Sequence, residues 1–78
     1  NNLGYTYIIK GEYSKAINEL KKAVKLNPPV PFIYNNLGIA YENTDKLKMA
    51  YDNYKKALEI DPNYKKAKDN LNRVNNKL

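Results

Sequence analysis

The sequence predicts an all-α fold: five helices forming antiparallel helix-turn-helix repeats that stack as an α-solenoid. Three observations in the 78-residue chain point there. First, it echoes itself at an offset of 34 residues with no insertion. Asn1-Asn2-Leu3-Gly4, Tyr7, Ala16, Lys21-Lys22-Ala23 and Pro28 return as Asn35-Asn36-Leu37-Gly38, Tyr41, Ala50, Lys55-Lys56-Ala57 and Pro62. A fixed period of that length marks supersecondary units that bury their apolar faces on one another. Second, apolar residues recur at the 3,4 spacing of a helix face. Third, Gly, Pro, Asn and Asp cut the chain into helix-length pieces.

The first helix is expected from the start to about Lys10, with Leu3, Gly4 and Tyr7 on one face. Gly11, at ease in the left-handed region, stops it. The second runs from about Ser14 to Leu26. Its Ala16, Ile17, Leu20, Ala23 and Val24 face inward, opposite a solvated face of Lys15, Asn18, Glu19, Lys22 and Lys25. Asn27-Pro28-Pro29-Val30-Pro31 is a hard break, because prolines remove helix donors and restrict the preceding residue. Pro31 still suits the first turn of the third helix, about Pro31 to Asn43.

Asn43-Thr44-Asp45 replaces the glycine turn of the first unit, since Asn and Asp tolerate the left-handed region. The fourth helix, about Lys46 to Ile60, buries Leu47, Ala50, Tyr51, Tyr54, Ala57 and Leu58. Asp52 is placed to pair with Lys55 or Lys56 one turn on. Asp61-Pro62-Asn63 breaks the chain again, with Asn63 the expected cap. The fifth helix, about Tyr64 to Lys77, keeps one apolar stripe of Tyr64, Ala67, Leu71 and Val74. Its other positions are polar or charged, as in a terminal helix with one face on the stack and one in water.

Composition narrows the function classes. The net charge is +6 and the pI about 9.5. Residues 1–30 carry five Lys against two Glu, residues 31–60 balance, and residues 61–78 carry five basic against two acidic groups. The excess therefore sits at both ends and forms no continuous stripe. Such a field favours anionic partners nonspecifically and also serves solubility.

The chain has no Cys and no His, so neither a disulfide framework nor a thiolate metal site is expected. A reducing, cytoplasmic location fits. No apolar run approaches the roughly 18 residues of a membrane span, and no secretory leader is visible. The chain begins within a repeat and without Met, as a piece of a longer protein would. Nothing supplies a nucleophile and its base. The carboxylates Glu12, Glu19, Glu42, Asp45, Asp52, Glu59, Asp61 and Asp69 are scattered beside lysines, and the three glycines form no phosphate loop. No catalysis and no cofactor is expected.

These residues resemble the tetratricopeptide repeat (TPR). In the second copy Tyr34 stands where that family usually has Trp, followed by Leu37-Gly38, Tyr41, Ala50, Tyr54 and Pro62. The first copy matches at Leu3-Gly4, Tyr7, Ala16, Leu20, Ala23 and Pro28. The resemblance covers the whole chain as one domain, 1–78: a truncated repeat at 1–30, a second at 31–64 and a capping helix at 65–78. Packing explains the pattern independently. Gly4 and Gly38 admit a neighbouring helix closely, and Ala16, Ala23, Ala50 and Ala57 are small where helices cross. Tyr7, Tyr34, Tyr41 and Tyr54 fill the space left.

In this family the first helix of each pair lines a concave groove that binds an extended peptide or a partner helix. The resemblance therefore implies groove positions at Asn1, Tyr5, Ile8, Ile9, Phe32, Asn35, Ile39, Glu42 and Asn43, with Lys66, Asp69 and Arg73 from the last helix. Clustered apolar groups on an exposed face, here Tyr5, Phe32 and Ile39, mark interaction sites. Asn35 could hold a peptide backbone, because its amide both donates and accepts. The same residues admit another reading, in which an upstream repeat covers Tyr5 and Ile8 and Phe32 packs between repeats.

One subclass clamps a C-terminal carboxylate. Asn36 and Lys66 match two of its five positions, but Asn1, Tyr5 and Asn70 depart from it, so no clamp is expected. The expected function is a non-catalytic module for protein–protein interaction. The alternatives are an RNA-binding helical repeat, which the pI suits but the single Arg73 does not, and a scaffold that self-assembles through an uncapped N-terminal edge.

Overall fold

The computed structural model describes every residue except Asn1 and Asn27, together with the side chain of Asn2 left aside. Five helices make up the described chain: α1 Asn2–Lys10, α2 Tyr13–Leu26, α3 Pro31–Glu42, α4 Leu47–Ile60 and α5 Lys65–Asn75. No strand occurs among the described residues. The all-α prediction holds, with helix ends shifted by one or two residues. The predicted break from Asn27 to Pro31 separates α2 from α3, with no helix at residues 28–30; its first residue, Asn27, lies outside the described residues.

The two hairpin turns are copies in backbone terms. Gly11 has φ +79° and Asp45, its counterpart one repeat on, has φ +61°. In the first turn the Gly11 N–H donates to the Ile8 carbonyl (3.0 Å) and the Glu12 N–H to that of Tyr7 (2.9 Å). In the second, Asp45 N–H donates to Glu42 (3.2 Å) and Lys46 N–H to Tyr41 (2.9 Å). This double bond around a left-handed residue satisfies the orphan carbonyls that end a helix.

The start of α5 differs from expectation. Asn63 does not cap it. The Asn63 N–H donates instead to Asp61 Oδ1 at 3.0 Å, an Asx turn that closes the chain on the aspartate. The helix then begins later, with Tyr64 as the extended residue before it and no side-chain cap. Asp52 also makes no ion pair within 4 Å among the described residues. It is exposed, and an exposed pair gains too little to immobilise a lysine.

The core is built as the small-large alternation requires. Ala16, Leu20, Ala40, Ala50, Tyr54 and Val74 are fully buried in one cluster with Ala23, Ile33, Leu37 and Tyr41. Ala57 and Ala67 are sealed as well. Gly38 is the tightest point: a Cβ there would overlap the Tyr54 ring, lying 2.5 Å from Cδ1 and 2.8 Å from Cζ. Tyr7 and Tyr34 stay half-buried, each under a lysine ammonium, Lys15 at 5.9 Å and Lys56 at 5.6 Å from the ring centre.

Two layers result. α1 and α5 each pack on α3, and α2 and α4 also pack on α3 with no close backbone approach to each other. α1, α3 and α5 thus share one side of the stack, the side that the repeat pattern predicts to be concave, with α2 and α4 on the other.

Candidate peptide-binding site

α3 serves both sides of the stack. At 100° per residue, Phe32, Asn35, Asn36 and Ile39 centre about 180° from Tyr34, Leu37 and Tyr41. The second set turns outward between α2 and α4. The first set faces the concave side, where α3 meets α1 and the start of α5.

There a pocket of about 370 Å³ opens, lined by Tyr5 of α1, Phe32, Asn35, Asn36 and Ile39 of α3, Tyr64, and Lys66 of α5. Its rim is apolar and wet: Tyr5 is 52% and Phe32 42% exposed. Two polar groups converge on it. Lys66 brings an exposed ammonium. Asn35 is only 3% exposed, and its Oδ1 accepts from Asn70 Nδ2 at 3.0 Å. That bond holds the amide in place at the pocket wall, and among the described residues no side-chain N or O is buried without a partner. Apolar walls, two asparagine amides and one cation suit an extended segment that inserts a side chain and presents its backbone.

Five of the expected groove residues thus meet in one cavity: Tyr5, Phe32, Asn35, Ile39 and Lys66. The others stand elsewhere. Ile8 packs against the core. Ile9 is 69% exposed and outside the cavity. Asn43 is exposed and donates its Nδ2 to the Ile39 carbonyl at 2.8 Å, a local helix-end bond. Asp69 pairs with Lys65 at 3.2 Å. Asn1 lies outside the described residues.

Glu42 is occupied by its own protein. Its carboxylate accepts from Arg73 Nε (2.9 Å) and a second guanidinium nitrogen (2.8 Å), from Lys77 Nζ (3.3 Å) and from the Tyr54 hydroxyl (2.8 Å). The Arg73 bonds, more than the others, hold its carboxyl down at about 2 against partial burial that pushes it up. Burial raises the Tyr54 phenol and the adjacent carboxylate raises it further. The same carboxylate raises the Arg73 guanidinium. This cluster joins α3, α4 and α5 and positions the last helix against the groove.

Tyr64 was not read as a groove residue from sequence, and Asn36 and Asn70 were weighed only as positions of a carboxylate clamp that was not expected. Tyr64 looked like the first residue of a packed stripe. The Asx turn holds it outside the helix instead, and Asp-Pro-Asn before it was the available signal. The bond of Asn70 to Asn35 carried no signal, because only the fold brings the two together, 35 residues apart.

Residues 4–45 match a family model described as TPR repeat. Residues 31–64 match one described as tetratricopeptide repeat. No curated protein matches the chain.

Proposed function

Since this chain belongs to the tetratricopeptide repeat family, whose repeats generally serve as protein–protein interaction modules, we propose that it binds an extended peptide or a partner helix along its concave face, without catalysis. The reading takes 1–30 as a shortened first repeat, 31–64 as the second and 65–78 as the capping helix. The observation that carries it is the cavity where Tyr5, Phe32, Asn35, Ile39 and Lys66 converge. The helices are stacked before any partner arrives, so little ordering cost falls on this side of the complex. RNA fits less well: the single Arg73 is committed to Glu42, and guanidinium groups do most base and phosphate recognition.

The test begins with peptides selected from a displayed library against the intact chain. Their affinity is then measured for Phe32→Ala and Lys66→Gln. Both side chains are exposed, so helicity and melting should change little. Phe32→Ala should weaken binding by roughly tenfold or more if it is an anchor. Asn35→Ala is a poor probe, because losing the bond to Asn70 in a buried site would also cost stability. Selected peptides that bind both variants as tightly as the parent would remove the groove assignment.

A further inference from the structure

We propose that the opposite face of α3 floors a second binding site, one that takes an acidic peptide segment carrying an apolar side chain. The backbones of α2 and α4 do not approach each other closely, and a groove of about 430 Å³ lies between them above α3. Leu37 and the half-buried Val24 and Tyr34 make its apolar surface, and Lys21, Lys25 and Lys56 stand over it from both walls. A smaller recess continues it past Tyr34 and Lys56 to Pro29, Glu59 and Ile60, so the acidic segment lies toward Lys21 and Lys25, away from Glu59.

Charge decides the occupant. The three lysines have no carboxylate within 4 Å among the described residues. Lys22, on the same helix, is by contrast neutralised by Glu19 at 3.4 Å. Three uncompensated ammonium groups around an apolar floor favour a ligand that brings carboxylates and a hydrophobic side chain together. Spacing fits as well. Lys21 and Lys25 are one turn apart, about 6 Å along the axis. Alternate side chains of an extended peptide are about 6.6 Å apart, so an acidic residue, any residue and a second acidic residue would meet both.

A nucleic acid fits this groove less well. Tyr41 is buried, and the Tyr34 ring already carries the Lys56 ammonium at 5.6 Å. The half-exposed ring in the lining is thus one that a lysine already stands over, a poor platform for a stacked base. Lysine also lacks the planar fork that reads phosphate bidentately.

The probe is a labelled synthetic peptide with Glu at alternate positions and one central Leu, titrated into the intact chain by fluorescence anisotropy at low salt. We expect saturable binding that Lys21→Gln, Lys25→Gln and Lys56→Gln together weaken by roughly tenfold, as three rim charges would. Lys66→Gln, on the concave face, should leave it unchanged. Replacing Leu by Ser in the peptide should weaken it, and Val24→Asp should do the same. Far-UV circular dichroism checks each variant's fold, and the three lysines are exposed, so helicity should persist. Binding equal in the triple variant, binding lost in Lys66→Gln, an unaffected Leu→Ser peptide, or a polyuridine oligomer of equal charge binding more tightly would each overturn the proposal. Loss of selected peptides in Phe32→Ala while the acidic probe still binds would separate this site from the concave one.

Discussion

Glu42 should make the protein acid-labile in a defined window. Its carboxyl sits at about 2, against an ordinary 4.5. The folded value lies below the unfolded one, so the native state binds fewer protons between them. The stabilisation is therefore complete above about pH 4.5 and is lost as the pH falls toward about 2. That interval, at about 1.4 kcal/mol per pH unit, sets a ceiling of ~3.5 kcal/mol. Arg73 and Lys77 have side chains 48% and 51% exposed, so water and salt screen the pair, and ~1–2 kcal/mol is the reasonable expectation. At ~2.1 cal/mol/K per residue, unfolding 78 residues carries ~0.16 kcal/mol/K, so Tm should move by roughly 6–12 °C.

Two variants separate the charge from the acceptor. Glu42→Gln removes the charge but leaves an oxygen for the Tyr54 hydroxyl, and should lower stability at neutral pH by ~1–2 kcal/mol. Glu42→Ala also strips the acceptor from a hydroxyl on a fully buried tyrosine, adding about 1–3 kcal/mol. Thermal melts by circular dichroism should show the parent and Glu42→Gln far apart at neutral pH and converging as the pH nears about 2. A gap between them that stays constant across the window would refute the assignment of that stability to the Glu42 carboxylate.

Three further outcomes are expected. Gly38→Ala should destabilise by at least ~1–3 kcal/mol, since its Cβ overlaps a ring with no exposed side to move to; a urea midpoint equal to the parent's would contradict the packing. In that background Tyr54→Leu should cost less than it does alone, because it makes the missing room. Asp45→Gly should raise Tm slightly and Gly11→Ala should lower stability by about 1 kcal/mol, both from the positive φ, and paired melts would show the opposite signs. A double-mutant cycle of Asn35→Ala and Asn70→Ala should give a coupling of roughly 0.5–1.5 kcal/mol for their bond; strict additivity would mean that they do not pair.

Much of the architecture was legible because packing writes itself as periodicity. Ala16 and Ala50, Ala23 and Ala57, and Leu20 and Tyr54 are all buried at repeat-equivalent positions. Asp45 was readable as a stand-in for Gly11 because few residues tolerate that backbone. The site was legible in part. Tyr5, Phe32, Ile39 and Lys66 point into one cavity because the inner helices each present one face to it. Asn36 was visible as a repeated residue and as a match to a clamp position, but the repeat accounts for it as scaffold as easily as for a pocket wall. The Asn63 cap went astray for a local reason: Asp61 and Asn63 can both close that turn, and Asp61 does so.

The mismatches between copies carry a further lesson. Positions 8 and 42 are equivalent, Ile in the first repeat and Glu in the second. Read as a groove position, that difference looks like partner specificity. In the fold each residue serves a joint. Ile8 packs into the core, with α1 against α3. Glu42 takes Arg73 and Lys77 of the chain's last segment. An ionic joint suits that place, because α5 is polar on its outer side and water reaches its edge, where an apolar contact would be left half-covered. The same carboxylate holds the Tyr54 hydroxyl, and Tyr54 fills the space that Gly38 leaves open. Docking of the last helix is thus tied through one side chain to the closest helix crossing in the core. A change at position 42 would reach the concave pocket indirectly, by releasing α5 and with it Lys66 and the Asn70 that orients Asn35.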